Sequence, residues 1–215
     1  MARSLRIKHA GYLYHVISRG IDGLALFKDQ QDFQTYVDIL NQQRTVFPIS
    51  IYNYCLELNC VQLLVEPDAE GDLSKFMENV SKAYAKYFNK KYDRSGHVFA
   101  GRFKSFIVQS RRYFIACSRY IDLTPAKNEN IEEAKKYSWS GFVSLAFGGK
   151  SKLKLDEFEL YTALGKSSEE RQHAYRVLVS NYQGEKLNIL NARGRFIGDT
   201  DFKRNFRKQL KAENK

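Results

Sequence analysis

The sequence has few cysteines and no long apolar run. Its three cysteines, Cys55, Cys60 and Cys117, are an odd number spread over the middle of 215 residues, which excludes a disulfide scaffold and is typical of a compartment where thiols stay reduced. No stretch reaches the roughly 18 consecutive apolar residues of a membrane span, and the first residues lead into no apolar signal core. We therefore expect no membrane partner and a cytoplasmic protein.

Several catalytic motifs are also missing. The chain has no glycine-rich phosphate-binding loop, no Cys-x-x-Cys pair and no metalloprotease helix, and Gly20 to Gly23 is better interpreted as a turn. Intrinsic disorder is excluded as well, because 43% of the residues are hydrophobic, which is enough to form a buried core. The length of 215 residues allows one domain and a smaller appendage.

Acidic residues are in deficit, and the basic excess is concentrated in two segments. Lys and Arg number 35 against 24 Asp and Glu, a net charge of +11. Residues 82–112 contain nine basic residues opposed by Asp93 alone, and residues 193–215 contain eight opposed by three. A polyanionic partner is indicated, either a nucleic acid or an anionic membrane surface. One lysine-rich helix face can merely keep a domain soluble, but two clusters interleaved with aromatic residues favour contact with nucleic-acid phosphates.

Periodicity and turn residues predict a β-α-β-β-α-β order. Strands are indicated by a two-residue period with β-branched and aromatic residues, and helices by apolar residues at i, i+3, i+4 and i+7. The predicted elements are a strand over Tyr12–Arg19, a helix capped by Asp29 and ending before Pro48, strands over Ile49–Glu57 and Cys60–Glu66 joined by Leu58-Asn59, a helix over Leu73–Phe88, and a strand from about His97 to Gln109.

This order predicts an α+β fold with a ferredoxin-like or RRM-like antiparallel sheet, two helices on one face and the other face free to bind. A further helix is predicted from Ser110 to about Ile121. Gly148-Gly149 suggests a boundary that divides a domain over 1–149 from a small basic helical extension over 150–215. Within the extension we expect helices over Leu155–Gly165, Ser168–Tyr182 and Asp199–Lys211.

Four short segments follow one another in a specific order. They are Tyr14–Gly20 (YHVISRG), Ser95–Lys104 (SGHVFAGRFK), Tyr113 leading to Ser118–Pro125 (SRYIDLTP), and Tyr137–Ser140 (YSWS). Together they resemble the REP-associated tyrosine transposases, a bacterial group of single-tyrosine HUH transposases that act on palindromic DNA hairpins. The resemblance covers roughly residues 9–148. It implies hairpin or single-stranded DNA as the partner and a nucleoid-associated location, and it leaves both a monomer and a homodimer open.

The sequence departs from this family at the metal ligands. The family places two histidines at i and i+2 of a strand, where both face one divalent metal; the metal polarises the scissile phosphate for attack by a tyrosine hydroxyl. The matching positions here are Cys60 and Gln62, and the resemblance places the nucleophile at Tyr113. Because a thiolate is soft and an amide is a weak neutral ligand, neither suits Mg²⁺. We expect metal-dependent nicking to be lost or severely weakened and no cofactor to be needed.

The preferred hypothesis is therefore a DNA-binding protein that retains the recognition surface of a transposase. Its phosphate contacts are predicted to come from basic residues in both clusters, namely Lys82, Lys86, Lys90, Arg94, Arg102, Lys104, Arg111, Arg112, Arg204 and Arg207.

Alternatives stay open at this point. The main one is an active transposase that cleaves and joins single-stranded DNA through Tyr113, with Mg²⁺ or Mn²⁺ as its cofactor. RNA binding is a third class, because a ferredoxin-like sheet also suits single-stranded RNA. Tyr113 could instead be an aromatic anchor for its helix, and Cys60 a small buried side chain. If Leu58-Asn59 is a two-residue turn, Cys55, Glu57, Cys60 and Gln62 share one face, where a softer metal such as zinc is conceivable.

Overall fold

The computed structural model describes residues 9–126, 129–181 and 196–213, without the side chains of residues 110–112 and 211–213. Its elements in chain order are β1 (Leu13–Arg19), a 3-10 turn (Ile21–Gly23), α1 (Gln30–Arg44), β2 (Ile49–Glu57), β3 (Cys60–Pro67), α2 (Asp72–Lys91), β4 (Lys104–Val108), α3 (Ser110–Leu123), α4 (Ile131–Lys136), α5 (Phe142–Phe147), α6 (Glu159–Thr162), α7 (Ser168–Ser180), β5 (Phe196–Ile197) and α8 (Thr200–Glu213).

The five strands form one mixed sheet in the order β2-β3-β1-β4-β5. The first four are antiparallel to their neighbours, so the predicted α+β class and ferredoxin-like order are confirmed. A fifth strand that the sequence did not predict makes the sheet mixed, because β5 pairs parallel to β4 through Ile107 and Phe196.

The hairpin between β2 and β3 has the predicted two-residue turn. Glu57 pairs with Cys60 and Cys55 pairs with Gln62. Because alternate residues of a strand face opposite sides, these four side chains lie on the same face of the sheet.

Helices α1 and α2 cover the other face. Asp29 caps α1 as predicted, within a reciprocal capping box that includes Asp32. Both helices bury an apolar stripe against β1, β2 and β3, with Tyr36, Phe76 and Tyr84 fully buried in this main core. The burial of these large side chains fixes the sheet on one side and leaves its opposite face for α3.

That opposite face is not free, so this part of the prediction is wrong. Leu13, Ile17 and Phe106 point to it and pack with Phe114 and Cys117 of α3. The physical reason is that β1 has apolar side chains on both faces, Leu13 and Ile17 on one and Tyr14 and Val16 on the other, and both faces are buried, which requires a covering layer on each side.

Strand β4 is shorter than predicted. Residues 97–103 form an irregular segment, which is joined to the end of β1 by a hydrogen bond from Ala100 N to the carbonyl of Arg19 and by a bridge between Phe99 and Gly20. Gly101 has a φ of 132°, a conformation that interrupts an extended strand and that glycine adopts most easily. Regular pairing therefore begins at Lys104.

The C-terminal extension is helical but packs on the domain. Its first predicted helix shortens to α6, while α7 and α8 lie where the sequence predicts them. Tyr175 and Val179 of α7 share a buried cluster with Leu123 and Phe142. The boundary near residue 149 stays a prediction, with apolar contacts crossing it. No helix in the described ranges is both long and apolar enough to cross a membrane.

Candidate nucleic-acid interface and degenerate metal site

Cys60 and Gln62 lie at the start of β3, on the face that α3 covers. Cys60 pairs with Arg19 and Gln62 with Ile17 of β1, so both positions sit near the end of the sheet where β1 finishes. Both side chains are buried. The structure therefore brings together the two predicted ligand positions, but under a helix rather than on an open surface.

The amide of Gln62 is fully engaged in a hydrogen-bond network. Its Oε1 lies 3.0 Å from His15 Nε2, and its Nε2 donates to Thr124 Oγ1 at 3.1 Å and to Glu57 Oε2 at 3.4 Å. Because an amide oxygen can only accept, this amide orientation assigns the proton to His15 Nε2. The Gln62 oxygen, which is the atom best suited to a hard cation, is already paired with a protein donor.

Two titratable groups next to Gln62, His15 and Cys60, are neutral. Burial lowers the pKa of His15 to about 4, so the ring is uncharged at pH 7. Burial, with a further contribution from Glu57, raises the pKa of Cys60 to about 11, so it remains a thiol. A cysteine sulfur is also a soft ligand, so Cys60 is poorly matched to a hard cation such as Mg²⁺. Within the described ranges no three His, Cys, Asp or Glu side chains are grouped to hold a metal ion.

Tyr113 and Tyr120 lie on one stripe of α3 but at different distances from Gln62. The ring of Tyr120 meets the ring of His15 edge-on, with 5.8 Å between centroids, and Thr124 one turn later contacts Gln62. Tyr113 precedes Tyr120 by two turns, about 10 Å along the axis, and is buried in the cluster that includes Leu13 and Val108. Of these two tyrosines, it is Tyr120 whose ring contacts His15, the partner of Gln62.

A second buried network fixes the far side of α3. The carboxylate of Asp122 accepts hydrogen bonds from Asn53 Nδ2 at 2.8 Å and from the Tyr175 hydroxyl at 2.6 Å. Asp122 is fully buried, and burial raises its pKa to about 7. Gly141 packs so closely on Asn53 that a Cβ atom there would collide with Asn53 Oδ1. This network holds the end of α3 that contains Tyr120 and Thr124.

The predicted phosphate-binding residues fall into three groups. Lys82, Lys86 and Lys90 are exposed on one side of α2, and Lys82 also pairs with Glu78. Arg102 and Lys104 are exposed around the start of β4, while the partly buried Arg94 lies over Phe88. Arg204 and Arg207 are exposed on α8, where Arg204 pairs with Asp201 and Arg207 lies over Phe196. The side chains of Arg111 and Arg112 lie outside the described residues, as does the whole of residues 182–195.

Comparison with known proteins decides the family. The model of the family described as "Transposase IS200 like" matches residues 8–123, just over half of the chain. The chain belongs to the IS200-like transposase family. A solved structure of a REP-associated tyrosine transposase bound to a REP hairpin is 13% identical, with a TM-score of 0.58, and the alignment covers 74% of this chain and 96% of that one. At that identity the likeness establishes the fold. No curated protein matches.

Sequence reasoning missed several residues of the site in this IS200-like transposase. His15 and Thr124 contact Gln62 from positions 47 and 62 residues away in the chain, so only the pairing of β1 with β3 and the direction of α3 bring them together. Arg19 was also missed. Alternation along β1 was the available signal, because it places Arg19 on the same face as His15 and Ile17.

Proposed function

We propose that this IS200-like transposase binds hairpin or single-stranded DNA and does not cut it efficiently with a metal ion. The observation that supports the proposal most directly is the closed network around Gln62. Where the family resemblance expects two metal-binding histidines, one position has a paired amide and the other a neutral, buried thiol. The residues present do not fit Mg²⁺ or Mn²⁺.

DNA binding is supported by the basic surface and by the structural neighbour. Exposed lysines of α2, the cations at the start of β4 and the arginines of α8 give a strongly positive exterior to a chain whose net charge is +11. The similar solved structure is that of a transposase bound to a REP hairpin. Electrostatic contact with phosphates requires cations that solvent and ligand can reach, and these residues meet that requirement.

The decisive experiment follows both binding and covalent attachment. End-labelled DNA hairpins with single-stranded tails are incubated with the protein in Mg²⁺, in Mn²⁺ and in EDTA. We expect retarded complexes in all three conditions and no adduct that survives denaturation. A covalent adduct that requires a tyrosine of α3 and a divalent metal would refute the loss of nicking. Competition with an RNA hairpin of matched sequence tests the RNA alternative, which predicts equal or tighter RNA binding.

One observation favours a second candidate, an active transposase. The contact of Tyr120 with His15 places a tyrosine next to the degenerate metal positions, while Tyr113 is the tyrosine that the sequence resemblance selects. If the protein forms a covalent adduct, Tyr120→Phe and Tyr113→Phe distinguish the two nucleophiles. The variant that abolishes the adduct while leaving hairpin binding unchanged identifies the attacking hydroxyl.

A further inference from the structure

Two cations share one end of the sheet on the side of α3. Lys104 is paired with Ile17 across β1 and β4, and Arg19 lies two residues beyond Ile17 on the same face of β1. In an antiparallel pair such diagonal neighbours are about 7–8 Å apart, within the span that a long arginine and a long lysine can both reach. Both residues are exposed.

This arrangement places two positive charges side by side at the end of β1. Neither Arg19 nor Lys104 forms an ion pair with another described residue. The acidic side chain whose charge is coupled to Arg19 is Glu57, and its carboxylate accepts a hydrogen bond from Gln62. Like charges on neighbouring strands repel each other, so a bound anion that contacts both Arg19 and Lys104 would be attracted by both.

The surroundings define what kind of anion fits. Arg19 is also the cross-strand partner of Cys60, which places it beside the start of β3. A planar guanidinium donates two parallel hydrogen bonds to a phosphate, and an ammonium adds a point charge. An exposed strand end with these two groups suits a phosphate on a chain passing over the surface.

We propose that Arg19 and Lys104 together hold one backbone phosphate of the bound DNA strand at the end of β1, without a metal ion. The inference depends on the proposed DNA binding and goes beyond it by naming Arg19, the pairing with Lys104 and a single shared phosphate. It also explains how a strand is held beside Cys60 and Gln62 although those residues do not suit a cation.

A purely structural role makes different predictions. The C-terminal end of α3 lies nearby, and cations near a helix C-terminus stabilise it. If that were the whole role, removing Arg19 and Lys104 would lower the melting temperature of the free protein. If the two cations serve only to bind phosphate, removing them leaves the melting temperature of the free protein unchanged or slightly higher, because it also removes their mutual repulsion.

The test uses the full chain, tailed DNA hairpins and EDTA throughout. Arg19→Gln, Lys104→Gln and the double variant are compared with Lys150→Gln, an exposed lysine on another part of the surface. We expect each single substitution at the pair to weaken binding about tenfold, the scale of one charge-assisted hydrogen bond, and the control to have little effect. Methylphosphonate is then placed at one DNA position at a time, which removes a single negative charge.

At one position the neutral linkage is expected to weaken binding by the wild type about tenfold and to have no further effect on the double variant. If the double variant is as sensitive as the wild type at every position, or loses melting temperature while keeping full affinity, the shared phosphate is refuted although DNA binding stands. If the wild type binds no hairpin at all, the proposed function fails together with this inference.

Discussion

The hydroxyl of Tyr175 in α7 donates a 2.6 Å hydrogen bond to the buried carboxylate of Asp122 in α3. Asn53 of β2 donates to the same carboxylate, so one ionisable group joins the sheet, the helix that holds Tyr120 and the C-terminal extension. All three side chains are fully buried. Because each donor comes from a different element, the carboxylate couples the position of α3 to the packing of α7.

Removing this hydroxyl is expected to destabilise the protein. Tyr175→Phe leaves the buried carboxylate one donor short, and we expect the free energy of unfolding to fall by about 1–3 kcal/mol. The matched control is Tyr36→Phe, because Tyr36 is equally buried and its hydroxyl has no hydrogen-bond partner among the described atoms. Urea denaturation followed by circular dichroism measures both; equal losses in the two variants would contradict the importance of the Asp122 bond.

Asp122 should also make stability depend on pH in a recognisable window. Its pKa is about 7 in the folded protein against 3.8 ordinarily, so the folded state binds the proton more tightly than the unfolded state. The loss of folding stability that comes from ionising the buried Asp122 is therefore absent below about pH 4, grows as the pH rises and is complete above about pH 7. A difference of about three pKa units sets an upper limit of about 4 kcal/mol.

Asp122→Asn isolates that effect, since the amide does not titrate. We expect the difference in unfolding free energy between variant and wild type to shift in favour of the variant between pH 4 and pH 7, and to stay constant above pH 7. Urea titrations at half-unit steps of pH measure it. If the unfolding free energies of the wild type and the variant instead ran parallel from pH 4 to above pH 7, Asp122 would have the same pKa in the folded and unfolded states.

Restoring two histidines should create a metal site. In Cys60→His/Gln62→His the imidazoles occupy positions i and i+2 on one face of β3, and neutral imidazole is the commonest side-chain ligand of metal ions. We expect one Mn²⁺ to bind per chain by titration calorimetry, and none to the wild type at the same concentration. The larger side chains are expected to cost about 1–3 kcal/mol of stability. Equal Mn²⁺ binding by the wild type would contradict the account of Cys60 and Gln62.

The lysine stripe of α2 should contribute to affinity without sequence preference. If Lys82, Lys86 and Lys90 each contact one phosphate, replacing all three with glutamine lowers the slope of log affinity against log salt by about 2.7. The control, Lys136, Lys150 and Lys166 replaced with glutamine, changes the net charge equally at other exposed sites. Fluorescence anisotropy over a salt series measures both slopes, and identical slopes would remove α2 from the DNA-binding surface.

The local features of the fold could be predicted because neighbouring residues determine them. The turn at Leu58-Asn59 fixed the register of β2 and β3 down to the pair of Cys55 with Gln62, and Asp29 capped α1 as its residue type predicts. The covering of the second face by α3 was missed although β1 is apolar on both sides, because its apolar residues were assigned to a single two-residue period.

The site could be predicted only as far as the strand that contains it. The placement of Cys60 and Gln62 on one face of β3 could be predicted from their position in the hairpin. The contacts of Gln62 with His15 and Thr124 could not, because they depend on how β1 and α3 pack against β3. Tyr113 and Tyr120 occupy the same stripe of one helix, seven residues apart. Only the direction in which α3 crosses the sheet decides that Tyr120 contacts His15, and no local pattern records that direction.

The sheet is completed by Phe196 and Ile197, two residues close to the end of the chain. During synthesis, β4 therefore leaves the ribosome long before its partner exists, and its outer backbone groups stay open to other strands in the meantime. Because α8 begins three residues after this strand, the pairing of β5 with β4 and the arrival of the arginines of α8 fall at nearly the same point of synthesis. A nascent chain thus covers part of the edge of β4 and gains these basic residues together.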